Sequence, residues 1–397
     1  MDNPALTAAA ASGPVVLVII LDAETRALGA APRWRWGEAV RVFHSSLADR
    51  GLPLVLRSGD PLEVLSEVAA ETGARSVHWS RTYAPGDIAR DKRVKAGLRD
   101  RGLDAQSHAG HIMFEPWTVE TGQGNHFKVY TPFWKSVRDR AVDAPLPVPK
   151  ITAAPAAKSE ALDDWGLADA MDRGAAIVAR HAQVGEAAAK ARLDRFIAQG
   201  IAGYDDRRDL LAEAGTSTLA ENLSLGEISP RCCWHAGQAA MMAGAPGAET
   251  FLKESVWREF AYHLLFHTPH IVERNWRPEW DSFPWETEGG DIALWQRVQT
   301  CEPVIDAAMR ELYVTGTMHN RARMLVASYL TKHLMVDWRV GLDWFAQCLI
   351  DWDPASNAMG WQWAAGSGPD AAPFFRIFNP AAQAAKFAPK GRYHDRW

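Results

Sequence analysis

The chain has 397 residues, of which 47% are hydrophobic, and a formal net charge of −5. That length suits two domains or one large one, and that apolar content supplies a sizeable core. The negative balance argues against nonspecific coating of nucleic acid, though not against a local basic patch, and no apolar run approaches the ~20 residues of a membrane span.

In chain order, Asp2-Asn3-Pro4-Ala5-Leu6 reads as a loop entering a helix. Residues 15–21 are continuous and β-branched between Gly13-Pro14 and Asp22, which predicts a fully buried strand. They are too short to span a membrane, and no basic segment precedes them as in a signal peptide. Residues 33–49 read as a helix and 52–57 as a second strand. Asp60-Pro61 starts the next helix, with aspartate at the cap and proline in the first turn. A third strand over 76–79, a helix near 87–101 and a fourth strand around 104–108 follow. Such alternation predicts a Rossmann-like parallel sheet with crossover helices. No G-x-G-x-x-G or P-loop occurs, so this unit need not bind a dinucleotide.

Residues ~140–184 are rich in proline, alanine and charge without a sustained period, as in a long connection. From Val184 the pattern is helical almost to the end. The expected division is an α/β domain over 1–113, a connection over 114–184 and an all-α domain over 185–397. No internal repeat is visible. Cys232, Cys233, Cys301 and Cys348 show no framework spacing and no C-x-x-C, which points to a reducing cytoplasm and away from zinc or iron–sulfur ligation. Tryptophan is the outlier, with 18 residues, 15 of them from Trp117 onward. Those rings either pack a large helical core or stack on a ligand and carry electrons.

Four constellations carry candidate chemistry. Tyr204 with Gly215-Thr216-Ser217-Thr218-Leu219 and Glu227-Ile228-Ser229-Pro230-Arg231 places hydroxyls and backbone N–H groups at a helix start. These suit a phosphate or diphosphate, and an ordinary N-cap is the plainer use. Glu254 and Arg258 stand four apart, the spacing of a helix-surface ion pair worth only ~0.3–0.5 kcal/mol. His263, His267 and His270 follow; two histidines four apart suit zinc, yet no H-E-x-x-H occurs, so capping or core roles are expected and no metal.

Met318-His319-Asn320-Arg321-Ala322-Arg323-Met324 opens a helix expected to run through Met335. Asn320 is either an N-cap with two solvent-facing arginines behind it, or part of a DNA-facing helix start whose arginines neutralise phosphates. Lastly, the 13 residues from Asp351 to Trp363 gather two carboxylates, the Asn357 amide and tryptophans, and run on to Phe374-Phe375-Arg376-Ile377-Phe378-Asn379-Pro380. This suits a pocket for a flat aromatic ligand with polar edges, or a structural pair of buried carboxylates.

The last stretch resembles the flavin-site signature of the DNA photolyase and cryptochrome family, and the resemblance covers essentially the whole chain. It is carried by W-R-E-F at 257–260 with Glu254 three residues earlier, by M-H-N-R-x-R-M at 318–324 and by W-Q-W at 361–363. Departures are Thr218 where the family's G-T-S-R-L-S loop has arginine, Ala220 where it has serine, and Ala358-Met359 for an Asn-Gly pair.

The resemblance implies FAD held by Tyr204, Thr216, Ser217, Thr218, Leu219, Arg258, Asp351, Trp352, Asp353 and Asn357, with Asn357 against flavin N5. It implies DNA contacts from Glu254, Trp257, Asn320, Arg321, Arg323, Met324 and Trp363, with Glu254 hydrogen-bonded to a thymine carbonyl. Trp361, Trp338 and Trp285 would form an electron-transfer chain. An antenna chromophore, methenyltetrahydrofolate or a deazaflavin, would sit in the α/β domain, where His44, Trp79 and Glu115-Pro116-Trp117 are loose candidates.

The implied activity is light-driven repair of cyclobutane pyrimidine dimers by electron transfer from excited reduced FAD, in a cytoplasmic monomer most like bacterial photolyases of that class. A cryptochrome-like photoreceptor is the alternative, and Glu254, Trp257, Trp363 and Asn357 count against it. By the same resemblance the chain is expected to be clipped at both ends. A missing central strand would expose a sheet edge.

Overall fold

The computed structural model describes residues 2–155, 157–370 and 377–397. The N-terminal unit alternates helices and strands: α1 (Pro4–Ser12), β1 (Leu17–Leu21), α2 (Ala30–Ala48), β2 (Leu54–Ser58), α3 (Pro61–Thr72), β3 (Ser76–Ser80), α4 (Pro85–Asp100) and β4 (Asp104–His108). Local chemistry sets the boundaries. Asn3 caps α1, its Oδ1 accepting from the Leu6 N–H at 2.9 Å with Pro4 leading the first turn. Asp60 Oδ1 accepts from the Leu62 and Glu63 N–H groups at the head of α3, and Gly73, at φ 71°, closes that helix in the left-handed conformation.

The expected parallel pairing is present, but in two pieces. β1 runs parallel to β2, Leu17 opposite Leu54 through Leu21 opposite Ser58. β3 runs parallel to β4, Ser76 opposite Asp104 through Ser80 opposite His108. Among the described residues these are separate two-stranded sheets, so β1 and β3 are each paired on one side only. The full burial expected of the first strand is therefore corrected: only Leu21 of β1 is buried, and every residue of β3 is partly exposed.

Helices still cover both faces. Leu17, Ile19 and Leu21 pack with Val40 and Leu47 of α2. The alternate residues Val18 and Ile20 pack with Val64 and Val68 of α3, the period-2 alternation of a strand. At the carboxyl ends Arg90 of α4 ties the pieces together. Its Nη1 donates to Asp22, just past β1, at 3.0 Å, and its guanidinium also bonds Asp91, which accepts the Trp79 indole N–H of β3.

The connection contains helix α5 (Tyr130–Val137); beyond it, the described residues of 140–184 hold 3-10 turns, the five-residue helix Gly174–Val178 and a bridge from Ala153 to Val15. The C-terminal unit is helical, with α6 (Pro230–Met242), α7 (Ala248–His267), α8 (Pro303–Thr315), α9 (Asn320–Lys332), α10 (Trp338–Cys348) and α11 (Pro354–Ala365) as its main members. Its core includes Trp295, Trp338 and Phe345, all fully buried. The four cysteines are free thiols. No helix among the described residues is long and apolar enough to cross a membrane. Phe374, Phe375 and Arg376 lie outside the described residues.

Candidate active site

One cavity in the helical unit draws together motifs far apart in sequence. Helix α7 gives it Phe251, Glu254, Ser255 and Arg258, and α9 gives Asn320, Arg323, Met324 and Ala327. Both sets follow the i, i+3, i+4, i+7 stripe of one helix face. Helix α11 adds Ser356, Asn357, Gly360 and Trp361 behind its cap, Asp353, and the segment over 217–224 adds Ser217, Leu219, Ala220, Leu223 and Ser224. Tyr204, Phe345 and Asp351 complete the polar and aromatic wall.

Asp353 does several things at once. Its Oδ1 accepts from the Ser356 N–H at 2.7 Å, starting α11 after an Asp-Pro pair. Its Oδ2 accepts from the Tyr262 hydroxyl at 2.8 Å and lies 3.9 Å from Arg258 Nε. Its backbone carbonyl accepts the Asn357 side-chain amide at 2.9 Å. Arg258 is held from the other side by His111, through the backbone oxygen at 2.7 Å and the ring Nε2 at 3.0 Å. Burial, reinforced by that guanidinium, lowers the His111 pKa well below the usual range. The ring is therefore neutral and able to accept.

Asp351 is bonded by Arg323, Nη2 to Oδ2 at 2.6 Å, while Arg323 Nε donates to the Met318 carbonyl. Asp351 is thus hydrogen-bonded to an arginine, and Asp353 lies beside one. Glu254 is not paired with Arg258. It pairs instead with Arg208, whose guanidinium also lies 5.8 Å from the centre of the Tyr204 ring. No local spacing betrays a partner 46 residues away.

Of the two readings open for Asn320, the N-cap is not the one the structure shows. His319 occupies that position, its Nδ1 accepting from the Arg321 N–H at 3.1 Å, and Asn320 is the first helical residue. Burial holds the His319 pKa down at about 4, which keeps the ring neutral and its lone pair available. The helix ends at Lys332, short of Met335.

Other expected residues lie off this wall. Thr218 is exposed with its backbone at φ 54°, and its hydroxyl bonds the Ser217 carbonyl. Thr216 and Trp352 flank lining residues without joining them. Arg321 bonds Asp209 at 2.7 Å and faces a second cavity, beside Asp205, Asp206 and Lys386. The arginines of α9 are thus both ion-paired. Trp257 stacks on Tyr130 with ring centres 3.6 Å apart and an 8° tilt, and Trp363 packs half-buried against the helical core. The histidines of α7 serve the core: His263 Nε2 accepts the Phe127 N–H and His267 Nε2 bonds the Pro116 carbonyl. No group of three metal-ligating side chains is arranged to hold an ion among the described residues.

The tryptophans form a graded series. Trp361 is 2% exposed and lines the cavity, and its ring lies so close to Gly341 that a Cβ there would come within 2.1 Å of it. Trp338 is fully buried, its N–H donated to Asn275 at 2.8 Å. Trp285 is half-buried, and its neighbour Glu286 bridges to Val336, which places it alongside the segment leading to Trp338.

The cavity's chemistry suits an aromatic heterocycle with polar edges. Three buried polar atoms on its lining residues, Arg258 Nε, Asp351 Oδ1 and Trp361 Nε1, have no hydrogen-bond partner among the described residues. They are donor, acceptor and donor, and buried polar atoms are normally satisfied. A flavin ring edge and its ribityl chain carry both kinds of complementary group, so the residues present fit FAD.

Two family models match the chain, "DNA photolyase" over residues 1–150 and "FAD binding domain of DNA photolyase" over 251–397. A deoxyribodipyrimidine photo-lyase of Agrobacterium fabrum is 44% identical over 100% of this chain and 84% of its own length. The crystal structure of a bacterial class III photolyase from Agrobacterium tumefaciens superposes with a TM-score of 0.96 at 44% identity, covering 100% of this chain and 83% of that one. Cryptochrome-2 of Arabidopsis thaliana is more distant, 31% identical over 100% of this chain and 68% of its own length. Matched at both ends by these models and along its whole length by such a relative, the chain belongs to the DNA photolyase family.

Proposed function

We propose that the protein repairs cyclobutane pyrimidine dimers in DNA, using light and a reduced FAD held in the cavity of the helical unit. The observation that carries this reading is the convergence on one wall of Glu254, Asn320 and Met324 with Arg258, Asp351, Asp353 and Asn357. The first group suits a base edge, the second a flavin.

The lesion enters by base flipping, which is easier at a dimer because its stacking is already disturbed. Glu254 hydrogen-bonds a base carbonyl of the lesion, Trp257 and Trp363 flank the bases, and Arg321 and Arg323, near the head of α9, bring positive charge to the DNA. Tyr204, Thr216, Ser217, Thr218 and Leu219 serve the diphosphate end of FAD. Arg258, Asp351, Trp352 and Asp353 would serve the ring and ribityl end, and the Asn357 amide would serve N5. The bound flavin supplies the light-driven electron that splits the dimer and takes it back afterwards. Trp361, Trp338 and Trp285 carry reducing electrons inward from the surface. A second chromophore, folate or deazaflavin in type, belongs to the α/β unit over 1–113, joined through 114–184 to the flavin unit over 185–397. The protein works as a cytoplasmic monomer.

The test is to illuminate the reduced, FAD-loaded protein with an oligonucleotide carrying a thymine dimer and follow recovery of thymine absorbance. Repair that falls at least a hundredfold in Glu254→Ala/Trp257→Ala is expected. Flavin photoreduction without repair in the wild type would mark a photoreceptor instead.

A further inference from the structure

Behind the 217–224 segment, on the side away from the cavity, lies a buried charge network that the proposed chemistry does not use. Arg35, on α2 of the N-terminal unit, is fully buried. Its Nε donates to Glu221 Oε1 at 2.8 Å, and its two terminal nitrogens form a fork with Glu227 at 3.0 and 2.6 Å. Glu221 is also paired with Arg192 at 2.7 Å. Arg192 Nη1 donates to the Thr218 carbonyl at 3.0 Å and to Asn222 Oδ1 at 2.8 Å, and the Asn222 amide donates to Glu227 at 2.6 Å. Gln183, at the end of the connection, joins through its N–H to Glu221 at 3.1 Å. Two arginines and two glutamates cancel in charge.

The segment therefore has two faces. Ser217, Leu219, Ala220, Leu223 and Ser224 look into the cavity, while Glu221, Asn222 and the Thr218 carbonyl are gripped from behind. Thr218 is held in the left-handed region at φ 54°, an unusual place for a β-branched residue. Removing one partner of a buried pair leaves an uncompensated charge in a medium of low dielectric. Without Arg35, Glu227 loses both fork bonds and must turn toward water, which draws Asn222 and the turn before it out of place.

We propose that Arg35 is a positioning residue for FAD: docking of the N-terminal unit through Arg35 sets the shape of the 217–224 wall. By linkage, FAD on that wall strengthens docking by the same factor. The proposal rests on the cavity being the flavin site.

The experiment strips FAD from the full chain and measures its rebinding by fluorescence quenching, alongside protease nicking of the 140–184 connection with and without FAD. Arg35→Met is expected to weaken FAD at least tenfold, with its far-UV helical signal intact, and to abolish the protection that FAD gives the wild-type connection. Arg35→Lys, which keeps the charge but not the fork, is expected to fall between. Glu227→Gln provides the same reading should Arg35→Met fail to fold, with FAD binding weakened severalfold. Unchanged FAD affinity and protection in Arg35→Met, or in Glu227→Gln if that is the variant that folds, would overturn the proposal. Wild-type protein that binds no FAD would overturn the flavin reading of the cavity, and the proposal with it.

Discussion

The two halves of the molecule solve the burial problem differently. Around α7 and α10 the helices close on themselves, with Phe260, Leu264 and Trp338 fully buried. In the α/β unit Val18, Ile19 and Ile20 are only partly covered, because β1 has a neighbour on one side. There the elements are joined by arginine–carboxylate pairs such as Arg90 with Asp22 and Arg101 with Glu63. Non-directional burial dominates the helical half, whereas the α/β half adds charge pairs to smaller apolar clusters, and its exposed pairs, such as Arg101 with Glu63, are weak and screened by salt. The contrast teaches that rigidity resides where the cavity's polar groups must be held to fractions of an ångström.

The contrast can be broken or sharpened by measuring each half's response. Phe260→Ala should have the largest effect, about 3–5 kcal/mol lost in urea unfolding, the usual range for removing a buried aromatic ring. A loss near 1 kcal/mol would mean the helical core is looser than its burial indicates.

Next comes pH. Burial, with the charges of His267 and His126, lowers the His263 pKa to about 3, and its Nε2 accepts the Phe127 N–H at 3.0 Å. The unfolded chain binds this proton first, so the contribution is whole above pH ~6.5 and is lost as pH falls toward 3. Glu259 acts oppositely: burial pushes its carboxyl up to about 7, so its contribution is whole at low pH and lost as pH rises through that value. His263→Gln isolates the first effect and should lose about 2 kcal/mol less than wild type between pH 6.5 and 4. Parallel curves for the two proteins would show that His263 does not titrate with unfolding.

Ile19→Ala, on the half-covered strand, should lose only about 1 kcal/mol. A value matching Phe260→Ala would show the α/β half to be as tightly built as the helical one. Arg101→Ala comes last, with an unfolding midpoint indistinguishable from wild type, since both partners of its pair face solvent.

Much of this was legible in the chain because it is local. The Asp60-Pro61 cap starts a helix where expected. The 254–258 and 320–324 spacings place whole stripes on one wall. Long-range features left no local trace: Arg208 reaches Glu254, and Arg35 reaches Glu221 across 186 residues. Asparagine is the better N-cap in general, which made Asn320 a candidate for the α9 cap, whereas burial keeps His319 neutral and gives its ring nitrogen that job. The continuous β-branched run over 15–21 does yield a strand, but its burial depends on what pairs with its other edge, which a local run does not encode.

Gly341 has a further consequence. Its bare Cα is pressed against the Trp361 indole, where even a methyl group would collide. The ring consequently has one seat rather than a family of tilts. Any redox or optical property that depends on its angle to the cavity would be single-valued across the population. An alanine there would act as a wedge and spread that property into a distribution, seen as broadened spectral lines or multi-exponential photoreduction. The residue with no side chain thus governs how sharply tuned its aromatic neighbour is.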